Sequence, residues 1–403
     1  MTIFGLAWRY LWSRPLTTAL NLLLLTLGLA AMGVVLLVQD RLSHAFERDL
    51  AGIDAVVGAK GSPLQLVVSG VFHIDTPTGN VKLADVRALA QDRLIAQVIP
   101  MSLGDSLSGF RIVGSTLEYP AHFNATLVWG RLWQARMEAV LGASVAKATG
   151  LAVGQAFNGM HGLGTGGHEH RDTPYTVVGV LSPCQCVLDR LVLTDLASVW
   201  NVHEALRPGE WQALAAEDRQ SMESEREVTL ALVRYASPMA AVSIPRFVNT
   251  QTAMQAASPA VEITRLLRLL GVGTQLMQGM GLVLLAVAAI SVFIALWSAV
   301  RERRADMALL RLLGAPPRRV GSVVLCEALW LALLAGALGL VLAQGLMALI
   351  GGWWMADTGW SISGALWPAS LLAVPLAAVG VALLAAGLPV VSAFRTDVVE
   401  ILS

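Results

Sequence analysis

The sequence contains few charged residues, few cysteines and very little lysine. Charged side chains make up 14% of its 403 residues, against about 25% in an average soluble domain. The chain has 28 basic and 28 acidic residues, and only three of the basic residues are lysine. A formal net charge of zero gives no general attraction to nucleic acid, and we expect no nucleic-acid partner.

Three cysteines are too few for a disulfide framework. Cys326 lies within an apolar segment, so Cys184 and Cys186 form the single remaining pair, at a spacing of two residues. A small secreted domain held together by disulfides is therefore excluded.

Apolar side chains are abundant, at 55% of the chain, and this excludes a disordered polymer. They concentrate in four segments, each long enough to cross a hydrocarbon layer about 30 Å thick. The first is too long for the apolar core of a cleaved signal peptide, so we predict an uncleaved helix. The predicted transmembrane helices are 16–38, 276–300, 320–350 and 369–391.

The segment between the first two predicted helices has the composition of a soluble protein. Short β-branched stretches alternate in it with helical patterns, so we predict a mixed α/β domain over 39–275 with helical stalks at both ends, residues 39–50 and 262–278. The predicted strands are 56–57, 64–68, 111–113, 175–181, 191–193 and 228–234. The predicted helices are 83–93, 138–149, 196–205 and 239–256.

The arginines predict the orientation in the membrane. Arg9 and Arg14 precede the first helix, and the loop between helices two and three is rich in arginine, whereas the loop between helices three and four has none. Positive residues favour the cytoplasmic side. We therefore expect a cytoplasmic N-terminus (1–15), connector (301–319) and tail (392–403), with the α/β domain and the loop 351–368 on the outer side.

The connector contains a short amphipathic stretch that ends at Gly314 and is followed by Pro316 and Pro317. About two turns into the third apolar segment lies Glu327, a carboxylate that is costly in a membrane unless it is paired or hydrated. We expect Arg319 or Arg318 to be its partner. Two interpretations of the connector and Glu327 remain open. One is a positively charged anchor with an ion pair that extends to the membrane surface, and the other is a mechanical coupling element.

These residues resemble those of the FtsX-like, or MacB-like, permeases of ABC transporters. The resemblance rests on Glu302-Arg303-x-x-Asp306-Met307, Leu312-Leu313-Gly314-Ala315 and Glu327-Ala328, on the arrangement of one helix, a large domain and three helices, and on the tail from Leu388 to Leu402. Asp306 and Leu310 depart from it, because glutamate and a basic residue are common at these two positions.

The resemblance implies a non-catalytic, multi-pass permease subunit in a bacterial inner (plasma) membrane, with its large domain in the periplasm. It implies partners as well: an ABC ATPase subunit that binds ATP and Mg, a second permease copy, membrane lipid, and an extracytoplasmic client or adaptor. A homodimer is expected, and a heterodimer of permeases remains open. The residues implied in ATPase coupling are Arg301, Glu302, Arg303, Arg304, Asp306, Arg311, Gly314, Pro316, Pro317 and Arg318.

The sequence contains no G-x-x-x-x-G-K-[ST] motif, so ATP is expected to be hydrolysed by a partner. The resulting prediction is a permease that transmits ATP-driven movement to its outer domain, for export or extraction of a client. The alternative is a membrane sensor or assembly protein whose outer domain binds a metal or a peptide without ATP-driven work.

Every histidine lies between the first two predicted membrane helices. Imidazole and thiolate groups are ligands for zinc and copper, and a glycine-rich loop near Cys184 carries three of the histidines. The candidate ligands for Zn or Cu are His161, His168, His170, Cys184, Cys186 and His203. Solvated loop histidines and inert cysteines are the alternative interpretation.

Overall fold

The computed structural model describes residues 2–162, 170, 172–203, 215–303, 316–358 and 367–394. These residues form two compact units. One contains residues up to Ser43 together with those from Leu269 onward, and the other contains His44–Arg268.

The helices are, in chain order, α1 Ile3–Trp12, α2 Pro15–Leu50, α3 Pro63–Val71, α4 Leu83–Leu89, α5 Glu118–His122, α6 Ala143–Thr149, α7 Leu196–His203, α8 Ala216–Glu225, α9 Ala240–Gln251, α10 Pro259–Glu302, α11 Pro317–Thr358 and α12 Ala373–Phe394. The strands are β1 Ala55–Ala59, β2 Val81–Lys82, β3 Ile95–Leu107, β4 Phe110–Ser115, β5 Leu127–Gly130, β6 Glu138–Leu141, β7 Ala156–Phe157, β8 Met160–His161, β9 Tyr175–Leu181, β10 Leu191–Asp195, β11 Glu227–Val228, β12 Leu230–Tyr235 and β13 Met254–Ala257.

The first unit is helical. Four of its helices are long and apolar enough to span a membrane: Pro15–Leu50, Gln278–Glu302, Arg318–Gly351 and Ala369–Ser392. Helices α2 and α11 approach closely at glycines. A Cβ atom added at Gly33 would lie 2.9 Å from Cβ of Ala343, and one added at Gly339 would lie 2.9 Å from Cβ of Leu29. Small residues at such contacts let helix backbones pack closely where lipid gives no hydrophobic driving force.

The second unit is built on a mixed sheet. Among the described residues the strand order is β13-β1-β12-β3-β4-β10-β6-β9-β5, with β7 added against β9 and β8 against β3. Along β9 the buried side chains alternate with more exposed ones, as expected for a strand. Four apolar helices and a mixed α/β domain between the first and the second confirm the predicted fold class.

Three secondary-structure predictions were wrong. Residues 64–68 belong to helix α3, where Ser62 caps the N-terminus by accepting a hydrogen bond from the Gln65 amide and Pro63 takes the first helical position. Residues 138–149 divide into β6 and α6 at Gly142, and residues 239–256 divide into α9 and β13. Residues 64–68 form a short apolar run, and the periodicity of such a run alone does not distinguish a strand from a helix.

Strand β3 was missed altogether. It spans Ile95–Leu107 and contains Pro100 and the buried polar residues Ser102, Asp105 and Ser106. Proline and aspartate are depleted in strands, and this composition hid the longest strand in the described part of the chain. The same strand contributes Asp105 to a group of polar side chains described below.

Candidate functional site

The guanidinium of Arg303 connects three helices of the first unit, which we call the membrane unit. Its Nη1 donates to Oε1 of Glu327 on α11 at 2.8 Å. Its Nη2 donates to the carbonyl of Tyr10 at 3.1 Å and to Oγ of Ser13 at 2.8 Å. The Arg303 guanidinium also lies over the Tyr10 ring, 4.2 Å from its centroid. We call Arg303, Glu327, Tyr10 and Ser13 the Arg303 cluster.

The charged pair within the Arg303 cluster is largely buried, whereas Ser13 at its edge is exposed. The side chain of Arg303 is 13% exposed and that of Glu327 is 7% exposed. Beside the cluster, Arg14 forms an ion pair with Glu302. A buried pair of charges is expensive to break because the remaining partner is left without compensation. The cluster therefore fixes the end of α10 against α1 and α11.

The expected partner of Glu327 was wrong. Arg318 and Arg319 are exposed at the start of α11, and both precede Glu327 by more than two helical turns on the same helix. Arg303 reaches the carboxylate from the neighbouring helix instead. The sequence offered no signal for Tyr10 and Ser13, which contribute a backbone carbonyl and a hydroxyl.

The other residues implied in ATPase coupling divide into two groups. Arg301, Glu302, Pro316 and Arg318 are exposed, and Pro317 is the first residue of α11. Arg304, Asp306, Arg311 and Gly314 lie outside the described residues. The described members thus border the connector on both sides, and Arg303 differs from them by pointing into the helices.

A polar contact also joins two helices within the membrane unit. Oγ of Ser291 on α10 donates to Oδ1 of Asn21 on α2 at 2.6 Å, and Asn21 is buried. Asn21, Ser291 and Glu327 are thus three polar residues of the apolar segments whose side chains form hydrogen bonds between helices. Such bonds hold transmembrane helices together.

Another group of polar side chains lies on the sheet of the second unit. Strand β8 pairs with β3 so that His161 is directly opposite Asp105. His170 is fixed by its backbone amide, which donates to the carbonyl of Gly159 at 2.9 Å. Nδ1 of His161 is 3.4 Å from Oδ1 of Asp105, and Nε2 of His170 is 3.5 Å from the same oxygen. We call Asp105, His161 and His170 the Asp105 cluster; one ligand atom from each lies within 4.8 Å of the others.

A pair of aromatic rings lies near the Asp105 cluster. Tyr175 is buried and stacks on Phe157, with ring centroids 5.3 Å apart. Burial raises the pKa of Tyr175, and the charge of Asp105 raises it further. The phenol therefore stays protonated over the physiological range.

The structure corrects part of the expected ligand set for a metal. Cys184 and Cys186 form a disulfide, and a disulfide sulfur is not a thiolate ligand. Oδ1 and Oδ2 of Asp189 accept hydrogen bonds from the amides of Cys184 and Gln185, which holds this loop. His168 lies outside the described residues, as does the side chain of His203. Asp105 was not predicted as a ligand, because strand β3, which positions it opposite His161, was itself missed.

Two family models match the chain. The model of the MacB-like periplasmic core domain matches residues 18–224, and that of the FtsX-like permease C-terminal domain matches residues 279–398. The two matches cover both units and most of the chain.

Individual proteins are similar at lower identity. The pyoverdine export ATP-binding/permease protein PvdT of Pseudomonas entomophila (strain L48) is 25% identical over 362 residues, which cover 84% of this chain. The match covers 50% of that relative, so the chain spans about half of its length.

Two solved structures are also similar. The periplasmic region of MacB from Actinobacillus actinomycetemcomitans has a TM-score of 0.34 at 14% identity, covering 54% of this chain and 95% of that one. The extracellular domain of the noncanonic ABC-type transporter YknZ from Gram-positive bacteria has a TM-score of 0.31 at 12% identity, covering 51% of this chain and 100% of that one.

Proposed function

The chain belongs to the family of membrane permeases with a MacB-like periplasmic core domain and an FtsX-like C-terminal domain, and on this premise we propose that it transmits ATP-driven movement from a separate ABC ATPase to its outer domain. The observation that carries this proposal is the Arg303 cluster. It connects α1, α10 and α11 directly beside the connector, the segment that the resemblance assigns to the ATPase.

The cluster gives movement a route into the helices. Arg303 follows the last residue of α10, and its guanidinium contacts α1 through Tyr10 and α11 through Glu327. A displacement of the connector would pull on a buried charge pair whose separation is costly, so the three helices would move together. An exposed ion pair would separate at little cost and would not couple the helices.

Helix continuity supports the same function. Helix α2 continues past the predicted membrane segment to Leu50, and α10 is helical from Pro259 to Glu302. Neither contains a proline within it that would kink it. A helix that leaves the membrane without a break can transmit displacement over its length.

The proposed location is a bacterial inner membrane, with several spans and the α/β domain in the periplasm. The arginines beside α1 and in the connector support this orientation. The chain has no P-loop motif, so ATP and Mg²⁺ would bind to the partner. We further propose that two permease copies assemble with the ATPase, and that the client is an extracytoplasmic molecule.

The test is purification of the full-length tagged chain from its native membranes with ATP and orthovanadate, followed by mass spectrometry and an ATPase assay. We expect a P-loop ATPase to co-purify and the complex, but not the chain alone, to hydrolyse ATP. Gly314→Pro, or Arg303→Glu combined with Arg304→Glu, should abolish this association.

The matched control is Arg246→Glu, which reverses an exposed arginine on α9 of the outer domain and should leave co-purification unchanged. Normal recovery of the ATPase with the Gly314→Pro variant and with the double variant would refute the coupling role of the connector. ATP hydrolysis by the chain alone would refute the division of labour between the two subunits.

A further inference from the structure

We propose that the Asp105 cluster binds a divalent transition-metal ion, zinc foremost, in the outer domain. The proposal is independent of ATP coupling and rests on the placement of three side chains. The pairing of β3 with β8 brings His161 opposite Asp105, and the bond from the His170 amide to Gly159 brings the second imidazole to the same carboxylate.

The buried carboxylate of Asp105 supports a bound cation. Its side chain is 1% exposed, and neither of its oxygens accepts a hydrogen bond from any described residue. A buried carboxylate without donors is unfavourable unless a positive charge compensates it. Both imidazoles point a ring nitrogen at Oδ1, and a metal ion held by the three groups would supply that charge.

Two of the distances between ligand atoms match those around a small ion. Zinc binds nitrogen and carboxylate oxygen at about 2.0–2.2 Å in a tetrahedron, which puts neighbouring ligand atoms about 3.3–3.6 Å apart. The separations of 3.4 Å and 3.5 Å from Oδ1 to the two imidazole nitrogens lie in this range. A direct ion pair between a protonated histidine and aspartate is tighter, at about 2.7–2.9 Å.

The donor set selects the metal. Two imidazoles and one carboxylate suit zinc and other divalent first-row ions, whereas Cu⁺ prefers thiolates, and Cys184 and Cys186 are joined in a disulfide. Mg²⁺ and Ca²⁺ prefer oxygen ligands alone. Three protein ligands leave a fourth position for water or for a ligand group of a client.

The experiment is equilibrium dialysis of the full-length chain in detergent, after treatment with a chelator, against Zn²⁺ with metal quantification. We expect one Zn²⁺ per chain in competition with excess Mg²⁺ and Ca²⁺. His161→Ala, His170→Ala and Asp105→Asn should each weaken binding by about 100-fold or more, because each removes a ligand. Co²⁺ should give a visible spectrum of tetrahedral type without bands from thiolate.

Asp105 is buried, so Asp105→Asn could fail to fold, but His161 is 60% exposed and its variant keeps the proposal testable. The matched control is His44→Ala, which removes a histidine with a 70% exposed side chain and should bind Zn²⁺ as the wild type does. Absence of Zn²⁺ from the wild type would overturn the proposal and leave the cluster as a set of ion pairs. Unchanged affinity in His161→Ala and His170→Ala would overturn it by assigning the metal to other residues.

Discussion

Arg303 and Glu327 are separated by 24 positions in the chain and joined by a hydrogen bond of 2.8 Å. The bond pairs the residue that follows α10 with a carboxylate about ten residues into α11. Because both side chains are largely buried, the pair acts as a fixed connection between the two helices and not as a solvated surface contact. Its strength can be measured by removing one charge.

Replacing Glu327 with glutamine keeps the shape of the side chain and removes its charge. The buried guanidinium of Arg303 then lacks a counter-charge, and we expect a loss of about 3 kcal/mol in stability and a lower melting temperature in detergent. Arg318→Gln removes an exposed charge near the start of the same helix and should melt within 1–2 °C (about 0.5 kcal/mol) of the wild type. Equal melting temperatures for the Glu327→Gln variant and the wild type would contradict this role.

Gly339→Leu tests the close approach of α2 and α11. A Cβ at Gly339 would lie 2.9 Å from Cβ of Leu29, so a leucine side chain would force the helices apart at a cost of about 1–3 kcal/mol. Gly345→Leu on the same helix is the matched control, since a Cβ there meets nothing within 4 Å. Thermal unfolding of both variants in one detergent measures the difference. A Gly345→Leu variant that loses as much stability as Gly339→Leu would show that the contact does not limit packing.

His73 should make the outer domain less stable as the pH drops below about 6.5, against the opposing effect of Asp49, whose pKa is raised to about 6 by burial. Burial, followed by the positive charges of Arg111 and Arg190, lowers the pKa of His73 well below its ordinary value of 6.5. Its Nε2 lies 2.9 Å from the hydroxyl of Tyr119. Below pH 6.5 the unfolded state takes up a proton that the folded state does not, so acid favours unfolding.

His73→Asn is the variant for this measurement. Asparagine tolerates the left-handed backbone of this position, where φ is +54°, and should make the melting temperature less dependent on pH between 5 and 7. The pKa of His122 is also lowered by burial, so a smaller slope should remain. An unaltered slope in His73→Asn would assign the pH dependence to other groups.

Changing both Cys184 and Cys186 to serine should leave Zn²⁺ binding unchanged. The two sulfurs are bonded to each other, and the proposed ligands are Asp105, His161 and His170. The double variant should lose some stability of its loop, because the covalent link is removed while the hydrogen bonds to Asp189 remain. Equilibrium dialysis of the double variant against Zn²⁺ measures its affinity for the metal. A 100-fold loss of that affinity would show that the cysteines are ligands after all.

The sequence predicted features that depend on long patterns. Four apolar segments and the uneven placement of arginine are properties of twenty or more residues, so they survive local exceptions. The prediction of short elements failed where composition and context disagreed. Strand β3 contains Pro100 and Asp105, which are unusual in strands. The apolar stretch 64–68 is helical because Ser62 and Pro63 begin a helix.

Polar partnerships were harder to predict than elements. The partner of Glu327 comes from a neighbouring helix, and helix packing is not encoded in the spacing along one segment. His161 and His170 were recognised by residue type, whereas Asp105 joins them only through strand pairing. Contacts between distant segments follow from the fold, and the sequence alone does not order the strands.

The disulfide between Cys184 and Cys186 carries information about the compartment. Disulfides persist in oxidising compartments such as the bacterial periplasm and are rare in the reducing cytosol. This bond therefore supports the proposed orientation independently of the placement of the arginines. A membrane-impermeant reductant and thiol label, applied to spheroplasts, should modify these two cysteines and spare Cys326, which is buried in α11.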